Sequence, residues 1–486
     1  MLAAPFVVEI SALAADTAAK TGAAAADKPH WAENLIPIAI LLAVVAIVLA
    51  RLPKVDLGHS DAFKRRRFKN WFPLGLTYAF LYMARYNLTV YKNVSGMDTD
   101  DYSIMFMVGT ITYGVSFLIN GPLTDKYGGR ATIIISAAGS LLTNLVMGIF
   151  VIDGWKSEYT PVFAALYAVN MYFQSFGAVA IVKVNAPWFH VRERGMIGAV
   201  FGILISLGIY FAYDWGKIIV DNLPHFWVFL VPAMILPIFV VTNILWTRDR
   251  PALAGFADFD PGDSKIGEEG PKLSVLQVFK LLFSQRVIVI ISLIEFCSGF
   301  LRQSIMQYMY IYAKETGHSG NFVFANWGVF LCCAGILGGI FAGVISDRVF
   351  QSRRGPVSAV LYGIMVVGGV VTLFTYETSL IGPMCIIMSM AVIGVHGMLS
   401  GTASMDFGGR RNTGVAVGII DGFVYLGTGT MALINAFVLP STKTPEAAVS
   451  SNWMPLFISM IPVALIGLAL AMRLWNAKPR SGAAAH

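Results

Sequence analysis

Two arginines stand inside otherwise apolar segments and are the residues best suited to chemistry in this sequence. Arg85 lies in FLYMARYNLTV (80–90) and Arg302 in GFLRQSIMQYMYIYAKETG (299–317). An arginine stays charged in a protein, and at mid-membrane it costs at least roughly 2.5 to 3.5 kcal/mol on insertion scales. Its planar fork can hold an oxyanion through two hydrogen bonds. Two such forks facing one cavity would suit a phosphate dianion, which neutralises both.

Polar side chains accompany both arginines at helical spacing. Tyr82 precedes Arg85 by three residues, and Gln303 and Gln307 follow Arg302, so each helix can offer hydroxyl or amide groups beside its cation. Such groups suit a sugar or glycerol moiety. Core packing is the commoner use of tyrosine and is the alternative for Tyr82.

Three further ionisable residues lie within apolar segments. Glu295 and Asp421 could carry a coupled proton, or each could pair with a nearby cation. Glu295 is seven residues before Arg302 on the same helical face and could neutralise it as a structural pair. Lys183, near the end of its segment, could line the access path of an anion or extend to the interface.

The elements that must position these residues are membrane-spanning helices. The chain has 486 residues, of which 56% are hydrophobic and 13% are charged, against about a quarter charged in soluble proteins. Apolar runs of about 20 residues can span a bilayer. Twelve occur, at 71–92, 103–124, 130–152, 160–187, 195–219, 226–247, 287–313, 322–346, 357–376, 379–402, 412–439 and 454–474. The predicted fold class is an all-α membrane protein.

An additional apolar run, LIPIAILLAVVAIVLA (35–50), precedes the twelve. Trp31 and Arg51 flank it as interfacial anchors would, which predicts an accessory N-terminal helix. A signal-anchor or an interfacial segment is the alternative. The segment before it lacks a basic start, so no secretory signal is predicted.

Charge sets the orientation. Most of the 35 basic residues fall in alternate connections, which the positive-inside rule places in the cytoplasm together with the C-terminus. The net charge of +7 therefore reflects topology, and nucleic-acid binding is not expected.

The four cysteines lie in apolar helices, and no metal-ligand spacing or nucleophile motif accompanies them, so no cofactor and no enzymatic activity are predicted.

The longest internal connection, 248–286, is rich in proline, glycine and charge and separates six helices from six. The predicted organisation is an N-terminal extension (1–60), a six-helix bundle (61–247), a linker (248–286), a second six-helix bundle (287–475) and a tail (476–486).

Similar loops, GPLTDKYGGR and GVISDRVFQSRRG, occupy matching places in the two halves and indicate duplication. Charge pairs there could gate the conformation, although solvated loop charges are the alternative. The candidate gating residues are Asp125, Arg130, Asp347 and Arg348.

The two arginines lie at equal depth in paired helices. Arg85 is 16 residues beyond Lys69, and Arg302 is 16 beyond Arg286, so both lie about 24 Å in from those charges. Equal depth in duplicated halves is typical of a pseudo-symmetric binding site. An interfacial position for Arg85, with its side chain extended towards the headgroups, is disfavoured by this depth.

The duplicated loops and the six-plus-six layout resemble the major facilitator superfamily. FLYMARYNLTV, GFLRQSIMQYMYIYAKETG and DFGGRRNTGVAVGIIDGFVYLGTG (406–429) further resemble organophosphate:phosphate antiporters, over about residues 64–475. The resemblance implies two six-helix bundles rocking about a central site where Arg85 and Arg302 hold phosphate. The chain departs from the glycerol-3-phosphate type where that type has charged or basic residues. At those places this chain has Tyr86, Phe117, Pro187, Gln307 and Cys332. These differences leave the identity of the substrate open.

The expected function is exchange of a small phosphorylated organic anion for inorganic phosphate by a monomer in the bacterial inner membrane. Two alternatives remain open. A proton-driven symporter would add a carboxylate such as Asp421 to the same arginines. A membrane sensor of sugar phosphates would keep the binding site without turnover.

Overall fold

The computed structural model describes residues 31–51, 57–190, 193–259, 277, 280, 283–350 and 353–476, and the long elements among them are helices. Residues 1–30, most of the linker and the tail from 477 lie outside the described residues. So do the side chains of two predicted gating residues, Asp347 and Arg348.

The first described helix, α1 (Trp31–Arg51), is the predicted accessory helix. Six helices form a first bundle: α2 (Asp61–Ser95), α3 (Thr99–Tyr127), α4 (Gly129–Phe150), α5 (Thr160–Asn185), α6 (Arg194–Tyr210) and α7 (Trp227–Trp246). A π-helical turn, Phe211–Trp215, extends α6 into Gly216–Asn222.

Six more helices form a second bundle: α8 (Arg286–Glu315), α9 (Trp327–Val349), α10 (Arg354–Thr375), α11 (Ile381–His396), α12 (Ser404–Val438) and α13 (Met454–Arg473). A π-helical turn, Ser304–Tyr308, follows Arg302 within α8. Another π-helical segment, Gly397–Ala403, joins α11 directly to α12, where the sequence predicted a break. The expected twelve helices and the additional N-terminal helix are all present.

Two helix starts differ from the sequence prediction for local reasons. α2 begins at Asp61, ten residues before the apolar run, because the hydroxyl of Ser60 accepts a hydrogen bond from the Phe63 amide and caps the helix. The run predicted to start at 322 is divided. Residues Phe322–Ala325 form a separate short helix capped by Asn321, and α9 starts at Trp327.

Ten of the described helices are long and apolar enough to cross a membrane by length and composition. α2 is not among the ten, because its basic start and its buried polar residues lower its hydropathy. The described apolar part of α9 covers only Trp327–Ala342. Helices with buried polar side chains are those expected to line a central site.

The two bundles meet along two seams. In the first, α3 and α12 approach closely at Gly114, where an added Cβ would lie 2.9 Å from the Gly422 carbonyl oxygen. In the second, α6 contacts α9 at Gly335, where a Cβ would lie 2.5 Å from the Ser206 hydroxyl. Small residues permit this closeness. α1 covers the second seam, where Leu41 and Val48 pack with residues of both α6 and α9.

Side-chain contacts also join the bundles at the end away from the basic connections, which we call the outer face. Lys92 pairs with Glu315 at 2.8 Å, and Tyr308 donates a hydrogen bond to Ser103 at 2.8 Å. The carboxylate of Asp98 accepts a hydrogen bond from the Ser441 hydroxyl at 2.7 Å. These contacts hold the bundles together at the outer face.

Candidate functional site

Arg85 is buried at the centre of the first bundle and has only neutral hydrogen-bond partners among the described residues. Its Nε donates to Gln174 Oε1 at 2.9 Å, Nη2 to the Tyr113 hydroxyl at 2.9 Å, and Nη1 to the Tyr425 hydroxyl at 3.1 Å. The guanidinium also lies 4.8 Å from the centre of the Tyr82 ring. These partners orient the cation without neutralising it, so its charge remains available to an anion.

A hydrogen-bond network of amide side chains holds the partners of Arg85 in place. Gln174 donates to Ser140 at 3.0 Å and to Asn170 at 3.2 Å, and Asn170 in turn donates to the backbone carbonyl of Ala84 at 2.9 Å. The Tyr167 hydroxyl donates to the backbone carbonyl of Arg85 itself at 3.1 Å. Three helices, α2, α4 and α5, are therefore cross-linked around the residue, which limits the positions that its side chain can adopt.

Arg302 is the matching cation of the second bundle, and it is under-satisfied. The residue is 7% exposed, and its Nε and Nη2 are buried without a hydrogen-bond partner among the side chains that the structure describes. Leaving donors of a buried charged group unpaired is costly. The free nitrogens can bind the oxygens of an anion with no internal partner to displace.

The two cations share their surroundings. Tyr82, Tyr86 and Tyr425 lie within electrostatic range of both guanidinium groups. Tyr82 and Tyr86 come from α2, and Tyr425 comes from α12 across the first seam. The two predicted arginines therefore share three tyrosine neighbours, whose hydroxyl groups can donate to an oxyanion.

The predicted glutamines bridge the bundles. Gln303 donates to the Tyr86 hydroxyl at 3.0 Å, and Gln307 donates to Gln303 at 3.1 Å. Gln307 also accepts from Thr89 and from the Tyr213 hydroxyl, at 2.5 and 2.6 Å. A ligand that contacts these amides would have to exchange those bonds, so the two glutamines couple the site to closure of the bundles.

The predicted carboxylates have partners other than the arginine. Glu295 is fully buried and its Oε2 lies 2.9 Å from His396 Nδ1, while Oε1 has no partner. Asp421 accepts a hydrogen bond from Ser400. Glu295 lies within electrostatic range of Arg302, whereas its ion-pair contact is with His396, so neutralisation of Arg302 by Glu295 stays a prediction.

Lys183, Asp125 and Arg130 lie at the face opposite the outer one, which we call the inner face. Lys183 forms an exposed ion pair with Asp125 at 2.6 Å and does not reach the arginines. Arg130 does not pair with Asp125. Its guanidinium donates to the Ile244 carbonyl at the end of α7, at 2.6 Å, and its backbone amide donates to Asp249 at 2.8 Å. Both sets of contacts stay within the first bundle.

Several residues of the site were not singled out in the sequence. Gln174, Tyr113, Tyr425 and His396 each stand as a polar group in an apolar helix. Intramembrane amide and imidazole groups are a usable signal by themselves, so Gln174 and His396 could have been found. Tyrosines are too common in membrane helices for Tyr113 and Tyr425 to be distinguished without the helix packing.

The fold and the site define a membrane transporter with two pseudo-symmetric halves and a central cationic site. The family model of the Major Facilitator Superfamily matches residues 71–432, and the chain belongs to that family. The family and the relatives found are not enzymes. The protein is an integral multi-pass membrane protein.

Individual relatives agree with the resemblance to organophosphate:phosphate antiporters. The glycerol-3-phosphate transporter of Bacillus subtilis is 25% identical over 460 residues, covering 88% of this chain and 97% of the relative. The membrane sensor protein UhpC of Salmonella typhimurium is 25% identical over 389 residues, covering 74% of this chain and 84% of the sensor. The solved structure of the nucleoside transporter NupG has a TM-score of 0.59 at 14% identity, covering 85% of this chain and all of that one, and supports the fold alone.

Proposed function

We propose that the protein exchanges a small phosphorylated organic anion for inorganic phosphate by alternating access. The organic anion is a sugar phosphate, a glycerol phosphate or a phosphoglycerate. The observation that carries this proposal is Arg302, which is buried with two unpartnered guanidinium nitrogens and shares three tyrosines with Arg85. A phosphate group supplies the missing acceptors and two negative charges together.

The same geometry supports exchange over net uptake. In the empty site two permanent cations face a common set of tyrosines, and their repulsion opposes closing of the bundles around them. A bound phosphate removes the repulsion and permits reorientation, whereas an empty carrier returns poorly. Tyr82, Gln303 and Gln307 are placed to bind the organic part of the substrate.

The test is phosphate exchange in proteoliposomes loaded with inorganic phosphate. Arg85→Lys and Arg302→Lys each keep the charge but lose the two-pronged donor, so each should abolish exchange while the protein still folds. Arg473→Lys, at an exposed position at the end of α13, is the matched control and should exchange normally. Exchange at the native rate by either central mutant would refute the two-arginine site.

A second candidate, proton-driven symport of an organic anion, is favoured by the contact between Glu295 and His396. Carboxylate and imidazole groups form the proton relays of transporters, and Asp421 lies within electrostatic range of His396, Glu295 and Arg302. Uptake driven by a pH gradient into vesicles without internal phosphate would select this function.

The third candidate is a membrane sensor of sugar phosphates, which the similarity to UhpC favours. A sensor would bind the phosphate ester through the same arginines without turnover. Saturable binding with no counterflow in the proteoliposome assay would select it.

The setting of the protein is part of the proposal. We place it in a bacterial inner membrane as a monomer, with its C-terminus in the cytoplasm, because most basic residues lie in the connections of the inner face. The contacts at the outer face then correspond to a conformation closed towards the outside.

A further inference from the structure

A second cationic site lies at the inner face, away from the central arginines. Three basic side chains, Arg66, Lys69 and Arg248, line a pocket of about 420 Å³ between the start of α2 and the end of α7. The pocket has no carboxylate among its lining residues. Like charges that line one pocket repel each other, and an anion bound among them would relieve that repulsion.

The positions of the cations are fixed by neighbouring groups that do not neutralise them. Arg66 donates to the Trp246 carbonyl at 2.8 Å and lies 5.4 Å from the centre of the Trp188 ring. Its Nη1 is buried and has no hydrogen-bond partner among the described residues. Arg248 donates to the Thr247 carbonyl at 2.7 Å. Lys69 has no ion pair among the described residues. None of the three charges is therefore compensated by an ion pair within the described part of the chain.

The carboxylate nearest in sequence does not neutralise the cations of the pocket. Asp249 follows Arg248, but it accepts a hydrogen bond from the backbone amide of Arg130 at 2.8 Å and does not line the pocket. Glu193 is likewise engaged by Arg67 at 2.9 Å. Among the residues that the structure describes, the pocket therefore has three cations and no counter-ion.

The surface that leads to the pocket is apolar and exposed. Ile238, Val241 and Leu245 follow one another at helical spacing on α7, and their exposed fractions are 59%, 53% and 57%. The stripe ends at the pocket, where Leu245 and the half-exposed Trp246 stand beside the cations. In a membrane protein this is the surface that contacts acyl chains, and tryptophan marks the headgroup level.

We propose that this pocket binds the phosphate headgroup of an anionic phospholipid in the leaflet at the inner face, with an acyl chain along the exposed stripe of α7. A soluble phosphate would be held by the same three cations but would gain nothing from the stripe. The lipid fits both features. The site joins the start of α2, which carries Arg85, to the end of α7, so the bound lipid would stabilise the first bundle.

The proposal is tested on the detergent-purified full chain. Added phosphatidylglycerol should raise its melting temperature in a saturable way, and phosphatidylcholine should raise it much less. The double variant Lys69→Gln with Arg248→Gln should weaken the apparent affinity about 25-fold, since each charge contributes about a factor of five. Arg65→Gln is the matched control, because Arg65 is exposed on the same helix but does not line the pocket.

Two outcomes would overturn the proposal. One is an unchanged affinity for phosphatidylglycerol in the double variant, and the other is equal stabilisation by phosphatidylcholine. If the double variant fails to fold, Lys69→Gln alone should show about a five-fold loss. Inorganic phosphate is tested in a background that carries both Arg85→Gln and Arg302→Gln, which removes the two cations of the central site. Protection there equal to that by phosphatidylglycerol would replace the lipid with a soluble anion as the occupant.

Discussion

The ammonium nitrogen of Lys92, at the outer end of α2, lies 2.8 Å from a carboxylate oxygen of Glu315, at the outer end of α8. The Lys92 side chain is fully buried, whereas Glu315 is 23% exposed. The two helices carry Arg85 and Arg302, so this ion pair ties the outer ends of the helices that hold the central cations. Removing the carboxylate would leave a buried cation without a partner.

Glu315→Gln should therefore shift the protein towards a conformation open at the outer face. We expect a cost to the closed form of about 2 kcal/mol, below the 3 to 5 kcal/mol of a fully buried pair because Glu315 is partly exposed. A cysteine in place of Ser441 removes the hydrogen bond to Asp98, so it is introduced into every protein compared, and Glu315→Gln should then label faster from outside than the Ser441→Cys protein alone. The four native cysteines are buried and add little background.

The matched control is Asp221→Asn, which removes an exposed ion pair with Lys217 within one helix. Such pairs contribute little, so labelling at position 441 should stay at the native rate. Equal labelling of Glu315→Gln and the native protein would show that the pair does not hold the outer face closed.

The outer face should also loosen in acid through Asp98. Burial tends to raise the pKa of this carboxyl, but hydrogen bonds from Ser441, Thr442 and Thr99, with Lys443 nearby, hold the pKa below its usual value. A depressed carboxyl pKa contributes stability above the unfolded pKa of about 3.9, and the contribution is lost as pH falls through the folded pKa. The melting temperature should therefore drop between pH 5 and pH 3.

Asp98→Asn isolates this contribution, because asparagine still caps α3 but carries no charge. The variant should be less stable than the native protein at pH 7, by about 1 kcal/mol, and should lose less stability between pH 5 and pH 3. An unchanged pH dependence would assign the acid sensitivity to other groups.

The side chain at position 174 should determine how strongly Arg85 binds an anion. Gln174→Leu removes the acceptor of Arg85 Nε and should weaken phosphate binding about ten-fold, since hydrogen bonds to charged groups contribute about 1.5 to 3 kcal/mol. Gln174→Glu keeps an acceptor but neutralises the cation, so it should weaken binding further. Calorimetric titration with inorganic phosphate compares the two, and native affinity in Gln174→Glu would mean that Arg85 is not an anion ligand.

A structural feature could be predicted from the sequence only where it leaves a pattern in the order of the residues. Long apolar runs and the depth of Arg85 and Arg302 follow from helix geometry, so the helices and the central cations were predictable. The partners of the charged side chains could not be predicted from the sequence. Glu295 contacts His396 and Asp125 contacts Lys183, and both choices depend on helix rotation and packing. The break expected between α11 and α12 was wrong, because a π-helical segment continues the chain there.

Gly299 should be the position where a single methyl group disturbs the site most. A Cβ there would lie 1.8 Å from the Val424 carbonyl oxygen, so α8 and α12 would have to separate. Overpacking of this kind costs about 1 to 3 kcal/mol. Because Arg302 follows three residues later on α8, the displacement also moves that guanidinium.

Gly299→Ala should therefore lower both the melting temperature and the rate of phosphate exchange. Gly363→Ala is the matched control, since a Cβ at Gly363 in α10 meets no atom within 4 Å. Alanine favours helix over glycine, so the control should melt at or slightly above the native temperature and exchange normally. A melting temperature for Gly299→Ala equal to that of the control would show that α8 can move away from α12 at little cost, and that the close approach does not set the position of Arg302.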